Sequence, residues 1–472
     1  MKRTRPEPLV ALSLLAATAA AETTFEPRVA VSETFTTNVR LAPRGAEDGD
    51  WITQVRPGFT ASRDGPRLRY DLGYDLQALY FAGENEGNDT FHNFFGDGEG
   101  ELIEDRFFVE MNGRYDQRDV DPANRQATSN LFLTDNRTDV AALEVSPLLL
   151  QPIGEIAIAS LRYTWSMVDY RETGESVDTT STGGSVQDSD LDRTAFRLES
   201  PEEARWIWHL DYINASVSFD EASDYKYETA GGEVGIPVAA RSHLLLGAGR
   251  ESNPDQSRED GGLDDNWWTV GWQWQPTARQ NVELRTGRRY YGPSYDVSWQ
   301  RAGSRGQLEI EYHESPTTTS ALEFDKYSVT PDGLFGQARI DTSVFIRKRL
   351  SGLVTWNATR SDWSLRLYRE ERDLIDDAET DEDFSEDEQV SGLQAGVMWQ
   401  AFVRTTLDAT LSWEDQQFEE GDATTGQIGV ALVRSVTRNV EGRLGISRLF
   451  KNSEVIQDYR DTSVTVELAW NL

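Results

Sequence analysis

The chain contains no cysteine, only four histidines and only four methionines, and it has no apolar run long enough to cross a bilayer as a helix. Without cysteine there are no disulfides, no thiolate metal sites and no lipidated N-terminal cysteine. His92, His209, His243 and His313 lie on separate segments without metal-ligand spacing, so neither a metal nor a cofactor is expected. No glycine loop opens a helix to cradle phosphate, and no acidic stretch has the glycine spacing of a calcium loop. Positive charge is scarce as well: 46 Lys and Arg stand against 81 Asp and Glu, for a net charge of −35. A polyanion such as nucleic acid would be repelled over a long range. The most apolar stretch, Val140 to Leu161, is broken by Glu144, Pro147, Pro152 and Glu155. A mean hydropathy of −0.58 argues against a helical membrane protein. It does not argue against a membrane barrel, because half of every barrel strand faces a polar lumen.

What is present begins with a targeting signal. Lys2, Arg3 and Arg5 precede the apolar Leu9–Ala17, and Ala19-Ala20-Ala21 supplies small residues for cleavage. The expectation is a signal peptide over residues 1–21 and a mature chain, 22–472, forming one domain exported through the periplasm.

Period-two alternation then runs along the mature chain. Between Arg67 and Tyr80 one face reads Leu68, Tyr70, Leu72, Tyr74, Leu76, Ala78 and Tyr80, and the other carries Arg69, Asp71, Asp75 and Gln77. On a helix such residues would scatter around the axis; on a strand they share a face. The same pattern recurs in 107–115, 157–167, 206–212, 268–274, 308–312, 403–413 and 440–446. The last residues alternate too, with Val464, Val466, Leu468, Trp470 and Leu472 on one face, like the assembly signal of outer-membrane barrels, although the final residue there is usually aromatic. Segments are long, about 10–15 residues against the 5–6 of soluble strands, and aromatics gather near the ends of apolar faces. Short connections (Arg301–Arg305, Trp399–Ala401) interleave with long acidic ones (Gly83–Glu104, Arg171–Asp190, Glu251–Asn266, Arg369–Gln389), as short periplasmic turns and long extracellular loops would. The fold expected is all-β: a transmembrane antiparallel β-barrel in the cell outer membrane. At about 25 residues per strand and connection it has roughly 18 strands, with any even number from 16 to 22 admissible. The acidic blocks, 370–388 above all, read as solvated loops, with divalent cations bridging them to lipopolysaccharide as the sharper alternative.

Several stretches resemble the outer-membrane barrels associated with PEP-CTERM/exosortase systems and exopolysaccharide loci. Phe25–Val39, Trp51–Phe59, Val145-Ser146-Pro147 and above all Gly287-Arg288-Arg289-Tyr290-Tyr291-Gly292 with Tyr295 carry the likeness. The resemblance implies a role in export or surface organisation of exopolysaccharide. The acidic 370–388 and the terminal Leu472 look particular to this chain.

The candidate functional surface is the polar face expected to line the lumen. Arg285, Arg289, Arg162, Arg366, Arg404 and Arg443 form a ladder of cations able to guide an anionic polysaccharide through forked guanidinium–carboxylate pairing. The plainer alternative is that these arginines pair with lumen Asp and Glu and stiffen the wall. Inward aromatics (Tyr368, Trp267) would stack on sugar rings or serve packing, and Gly292-Pro293 has turn chemistry. His209 and His313, beside Asp211 and Glu311, are the only pointers to hydrolysis, and no catalytic residue is assigned. Three readings stay open: a non-enzymatic barrel for secreted polysaccharide, a general diffusion porin for small solutes, and a barrel hydrolase of lipid or glycan. Expected partners are outer-membrane lipid and lipopolysaccharide, an anionic polysaccharide, and the barrel-assembly machinery during biogenesis.

Overall fold

A computed structural model describes residues 23–84, 87–172, 188–201, 204–220, 224–253, 263–324, 344–374, 388–418 and 421–472; the expected signal peptide lies outside them. The first strands are β1 (Thr24–Thr36), β2 (Asp50–Asp64), β3 (Leu68–Phe81), β4 (Asp89–Ile103), β5 (Phe107–Asp119), β6 (Arg137–Ile153) and β7 (Ala157–Glu172). There follow β8 (Ser189–Glu199), β9 (Ile207–Phe219), β10 (Tyr225–Ala239), β11 (Ser242–Asn253), β12 (Leu263–Thr277), β13 (Gln280–Arg289), β14 (Gly292–Ala302) and β15 (Gly306–Thr318). A single helical turn, α1 (Thr319–Leu322), precedes β16 (Val344–Asn357), β17 (Ser361–Leu374), β18 (Glu388–Phe402), β19 (Thr405–Phe418), β20 (Gly421–Ser435), β21 (Val440–Ser453) and β22 (Tyr459–Asn471).

Each strand is antiparallel to its chain neighbours, and β1 also pairs with β22, from Arg28↔Asn471 to Thr36↔Ser463. The sheet is therefore closed. Closure leaves no unpaired edge, which is what a sheet needs where no water can reach its N–H and C=O groups. Side chains seal the seam: Thr34 and Thr465 share a hydrogen bond of 2.9 Å, and Arg56 donates to Glu467 at 2.7 Å.

The alternation sorts into two environments. Trp268, Val270, Trp272 and Trp274 of β12, Leu365 and Leu367 of β17, and Val464, Val466 and Leu468 of β22 are exposed on the outer wall. Their intervening neighbours point inward. The outer face is the apolar band of a membrane barrel. Both chain ends lie at one end of the wall, where the ten connections run from two to seven residues. The opposite end carries 37–49, 120–136 and α1.

The strand count corrects the expectation: among the described residues there are 22 strands, not about 18. The span Gly83–Glu104, expected as a loop, is largely β4. Between Phe94 and Leu102 its outward face offers Gly96, Gly98 and Gly100 instead of large apolar residues, so its period is hidden; Leu72 of the neighbouring strand lies against Gly96. Two-residue connections at 240–241, 278–279 and 290–291 further shorten the mean repeat. The turn expected at Trp399–Ala401 lies instead at Val403-Arg404, which takes Val403 off its strand. The turn placed at Gly292-Pro293 is made by Tyr290-Tyr291, and Gly292, with φ 126°, opens β14.

A strand in the middle of the outer band tests the wall. Val466→Arg should lower stability by about 2–4 kcal/mol, the cost of a guanidinium near the bilayer midplane, read as an earlier urea midpoint in detergent. The wild-type protein should migrate anomalously on a denaturing gel until boiled.

Candidate functional site: a lumen narrowed by two inward segments

Buried apolar clusters form inside the barrel where chain segments fold back onto the wall. Residues 120–136 leave β5 and cross to β20, β21 and β22, on the far side of β1–β4. Lys451 of β21, fully buried, donates through Nζ to the carbonyls of Pro122 at 2.6 Å and Asn124 at 2.7 Å. Tyr459 of β22, also fully buried, accepts from the Gln126 amide at 3.0 Å and donates to its carbonyl at 3.1 Å. Thr425 holds the Gln126 side chain at 2.8 Å. Around these bonds Leu41, Ala127, Phe132, Leu449 and Tyr459 form one apolar cluster. An ammonium and a phenol buried this deeply would be costly if their donors went unmet; the segment's carbonyls meet them.

The second segment comes from the other side. Thr318 caps α1, accepting from the Ala321 amide at 3.3 Å, and the chain carries Phe324 onto Val140, Ala142 and Val168 of β6 and β7. Glu323 forms an ion pair with Arg114 of β5. A turn that leaves β15 and touches β5–β7 reaches across the lumen.

The expected arginine ladder divides in place and partners. Arg162 forks onto Glu110. Arg285 forks onto Glu233 at 2.9 and 3.0 Å and also meets Glu283. Arg289 reaches Glu251 at 2.8 Å and the Tyr227 hydroxyl at 2.7 Å. Arg443 stands 3.6 Å from Asp408 and remains half exposed. Arg366 lies on the inner face of β17 and has a buried Nη1 without a hydrogen-bond partner among the described residues. Arg404 is not on a strand face: it ends the β18–β19 turn, as Arg67 ends the β2–β3 turn. The cations that face the lumen are thus mostly neutralised by carboxylates, most of them two or three strands away.

A further cluster escaped the sequence. Glu370 is 1% exposed. It accepts from Arg347 at 2.8 Å, Arg349 at 2.6 Å and Arg372 at 2.8 Å, and Arg372 also reaches Glu388 at 3.1 Å. Part of the stretch expected to be a solvated loop is therefore strand. The signal was available: Glu370 and Arg372 alternate with Glu371 and Asp373, in phase with Tyr368.

The inward aromatics are occupied by packing. Trp267 lies flat across Gly231 and Gly249, where a Cβ would collide with the indole. Tyr368 covers Gly392, bonds Glu414, and carries the Arg349 guanidinium 5.0 Å above its ring. In the Gly287–Gly292 motif Arg288 shares the outer face with Trp268, while Arg289 turns inward, stacked 5.2 Å from the Tyr291 ring, and the Tyr290 amide is bonded to Glu251 at 2.7 Å. His209 pairs with Asp211 at 3.3 Å and His313 with Asp296, not Glu311, at 2.8 Å. Among the described residues neither imidazole holds a serine or threonine hydroxyl, and no group of His, Asp and Glu is arranged to hold a metal ion.

A closed antiparallel barrel with an apolar outer wall and a charged, partly filled lumen defines an outer-membrane β-barrel. No protein-family model matches the chain, and no curated protein matches it. Among solved structures it is similar to a mutant of the ferric enterobactin receptor of Pseudomonas aeruginosa, with TM-score 0.49 and 11% identity over 97% of this chain and 81% of that one. It is similar to the ferric preacinetobactin receptor of Acinetobacter baumannii, with TM-score 0.47 and 11% identity over 95% and 81%. The Pseudomonas aeruginosa protein OpdF, solved in complex with glucuronate, gives TM-score 0.37 and 10% identity over 95% and 98%. At these values the membrane assignment rests on the barrel's own closure and outer face.

Removing the carboxylate at the centre of the arginine cluster checks its structural weight. Glu370→Ala should cost about 3–5 kcal/mol, because it leaves guanidiniums buried without a counter-charge, measured by urea unfolding in detergent.

Proposed function

We propose that this barrel is a non-enzymatic passage for small hydrophilic solutes, with a bore set by its inward segments. A 22-stranded wall encloses more room than its own side chains can fill. The observation that carries the reading is the anchoring of 120–136 by the buried Lys451 and Tyr459, which places backbone across the lumen and fixes it there. The remaining lining is polar and largely charge-paired, so it favours hydrated solutes without a strong fixed field at the wall. The field comes from the chain as a whole, which carries a net charge of −35, and a negative channel protein concentrates cations.

A second reading follows from the resemblance to exopolysaccharide-linked barrels. Its support is the aromatic and cationic cluster of Arg289, Tyr227, Tyr290 and Tyr291 at the loop end, a surface of the kind that sugars stack on. That cluster is bonded internally, which is why the solute passage is preferred.

Planar-bilayer recording tests the first reading. The wild-type barrel should give small, stable steps with a reversal potential on the cation-selective side in a KCl gradient. Lys451→Met combined with Tyr459→Phe should enlarge the steps while heat-modifiable migration is kept. A silent wild-type barrel, or unchanged steps in the variant, would overturn it. Loss of surface polymer in a deletion strain with normal solute uptake would move the assignment to the second reading.

A further inference from the structure

The short-turn end of the wall carries a charge pattern that neither passage nor packing uses. Of its ten turns, nine contain an arginine. From β10 to β21 the pattern is strict. Six successive turns at this end read Ala240-Arg241, Ala278-Arg279, Gly303-Ser304-Arg305, Ala358-Thr359-Arg360, Val403-Arg404 and Val436-Thr437-Arg438-Asn439, each with one arginine and no acid. All six arginines are exposed. Arg241 donates to the Pro276 carbonyl of β12, and the side chains of the other five have no partner among the described residues. The contrast with Arg162, Arg285, Arg289 and Arg372, each held by a carboxylate, is sharp.

A belt of tryptophans stands just inside this arc on the outer wall: Trp274 is 39% exposed, Trp356 55%, Trp363 50% and Trp399 47%. Indoles facing lipid settle at the boundary between hydrocarbon and headgroups. Arg360 is three residues from Trp363 and four from Trp356. At a strand rise of ~3.3 Å and a tilt of ~40°, three residues carry the chain about 7–8 Å along the membrane normal. That distance is about the depth of the headgroup layer beyond the hydrocarbon edge. The guanidiniums therefore stand at phosphate level, and a forked donor matches a phosphate geometrically.

We propose that the arginine arc from Arg241 to Arg438 is a docking surface for anionic phospholipid headgroups of the periplasmic leaflet. The sector from β3 to β9 differs, since its turns mix arginine with Glu104, Asp105 and Glu155, so anionic lipid gathers on one side of the barrel.

The nearby indoles report the lipid directly. The folded protein is placed in vesicles of phosphatidylcholine with phosphatidylglycerol, and bromine is carried on one lipid or the other at equal mole fraction. Brominated phosphatidylglycerol should quench tryptophan more strongly than brominated phosphatidylcholine, reflecting an enrichment of about fivefold or more near the arc. The excess should vanish when Arg241, Arg279, Arg305, Arg360, Arg404 and Arg438 are all changed to Gln, and should shrink as salt shortens the Debye length. Equal quenching by the two lipids in the wild type, or an excess that survives in the variant, overturns the proposal. If the variant fails to insert, the wild-type salt series decides alone, and an excess insensitive to salt overturns it. A lost excess accompanied by an unchanged conductance separates this surface from the passage.

Discussion

A bilayer interior offers no water to a backbone N–H or C=O, and that shortage governs the molecule from the seam between β1 and β22 outward. Once the sheet must close, every strand has a lipid face and an enclosed face, and the period-two alternation becomes obligatory. Once it closes with 22 strands, the enclosed space exceeds what side chains from the wall can span. The chain resolves this by returning 120–136 and the Thr318–Phe324 stretch into the lumen. Their own backbone groups then need partners, and Lys451 and Tyr459 supply several of them, while Thr425 holds the Gln126 side chain. The interior apolar clusters are thus a consequence of wall size, assembled where the returning chain meets inward residues such as Leu449 and Val140.

The same closure explains the arrangement of lumen charge. A strand buried between lipid and a partly filled interior can carry an arginine inward only if a carboxylate on a nearby strand takes up its field. Glu233 and Arg285 do this across 52 residues of sequence. Such pairs add little net stability by themselves, because desolvation offsets the attraction. They do penalise alternatives heavily: a one-residue slip of β13 would turn Arg285 onto hydrocarbon and leave Glu233 unpaired. The carboxylates thereby specify register in a sheet whose backbone bonds alone would accept either phase.

Much of this was legible in the residues. The faces of 67–80, 157–167, 268–274 and 440–446 were readable because large apolar residues mark alternate positions without interruption. What was hidden has physical reasons. β4 was missed because glycines stand on its outward face and the neighbouring Leu72 covers part of that surface. The extension of β17 through 370–374 was missed because its charges alternate in sign and face, and a charged run resembles a solvated loop until Arg347 and Arg349 are brought beside it by β16. The inward course of 120–136 has no local signature, since its composition suits a surface loop equally well. Its only trace is a lysine, Lys451, on the enclosed face of β21. The arginine ladder was legible as a face pattern for Arg162, Arg285 and Arg289, whereas the partners that neutralise them lie on other strands, beyond the reach of any local window.

The net charge of −35 conceals a division along the barrel axis. Acid dominates the long connections, and base dominates the short turns from Ala240 to Asn439. In a symmetric medium this separation would serve no purpose and would cost little. Across a membrane the two ends meet different surroundings, and the two charge types differ in kind as well as sign. The acidic stretches are long, and charge spread along them acts at a distance on ions in water. The arginines are single, fixed by two- to four-residue turns and backed by tryptophan, a geometry that places a planar donor at one depth. A diffuse field needs charge density alone. A headgroup contact needs position, and the short-turn end of this barrel provides it.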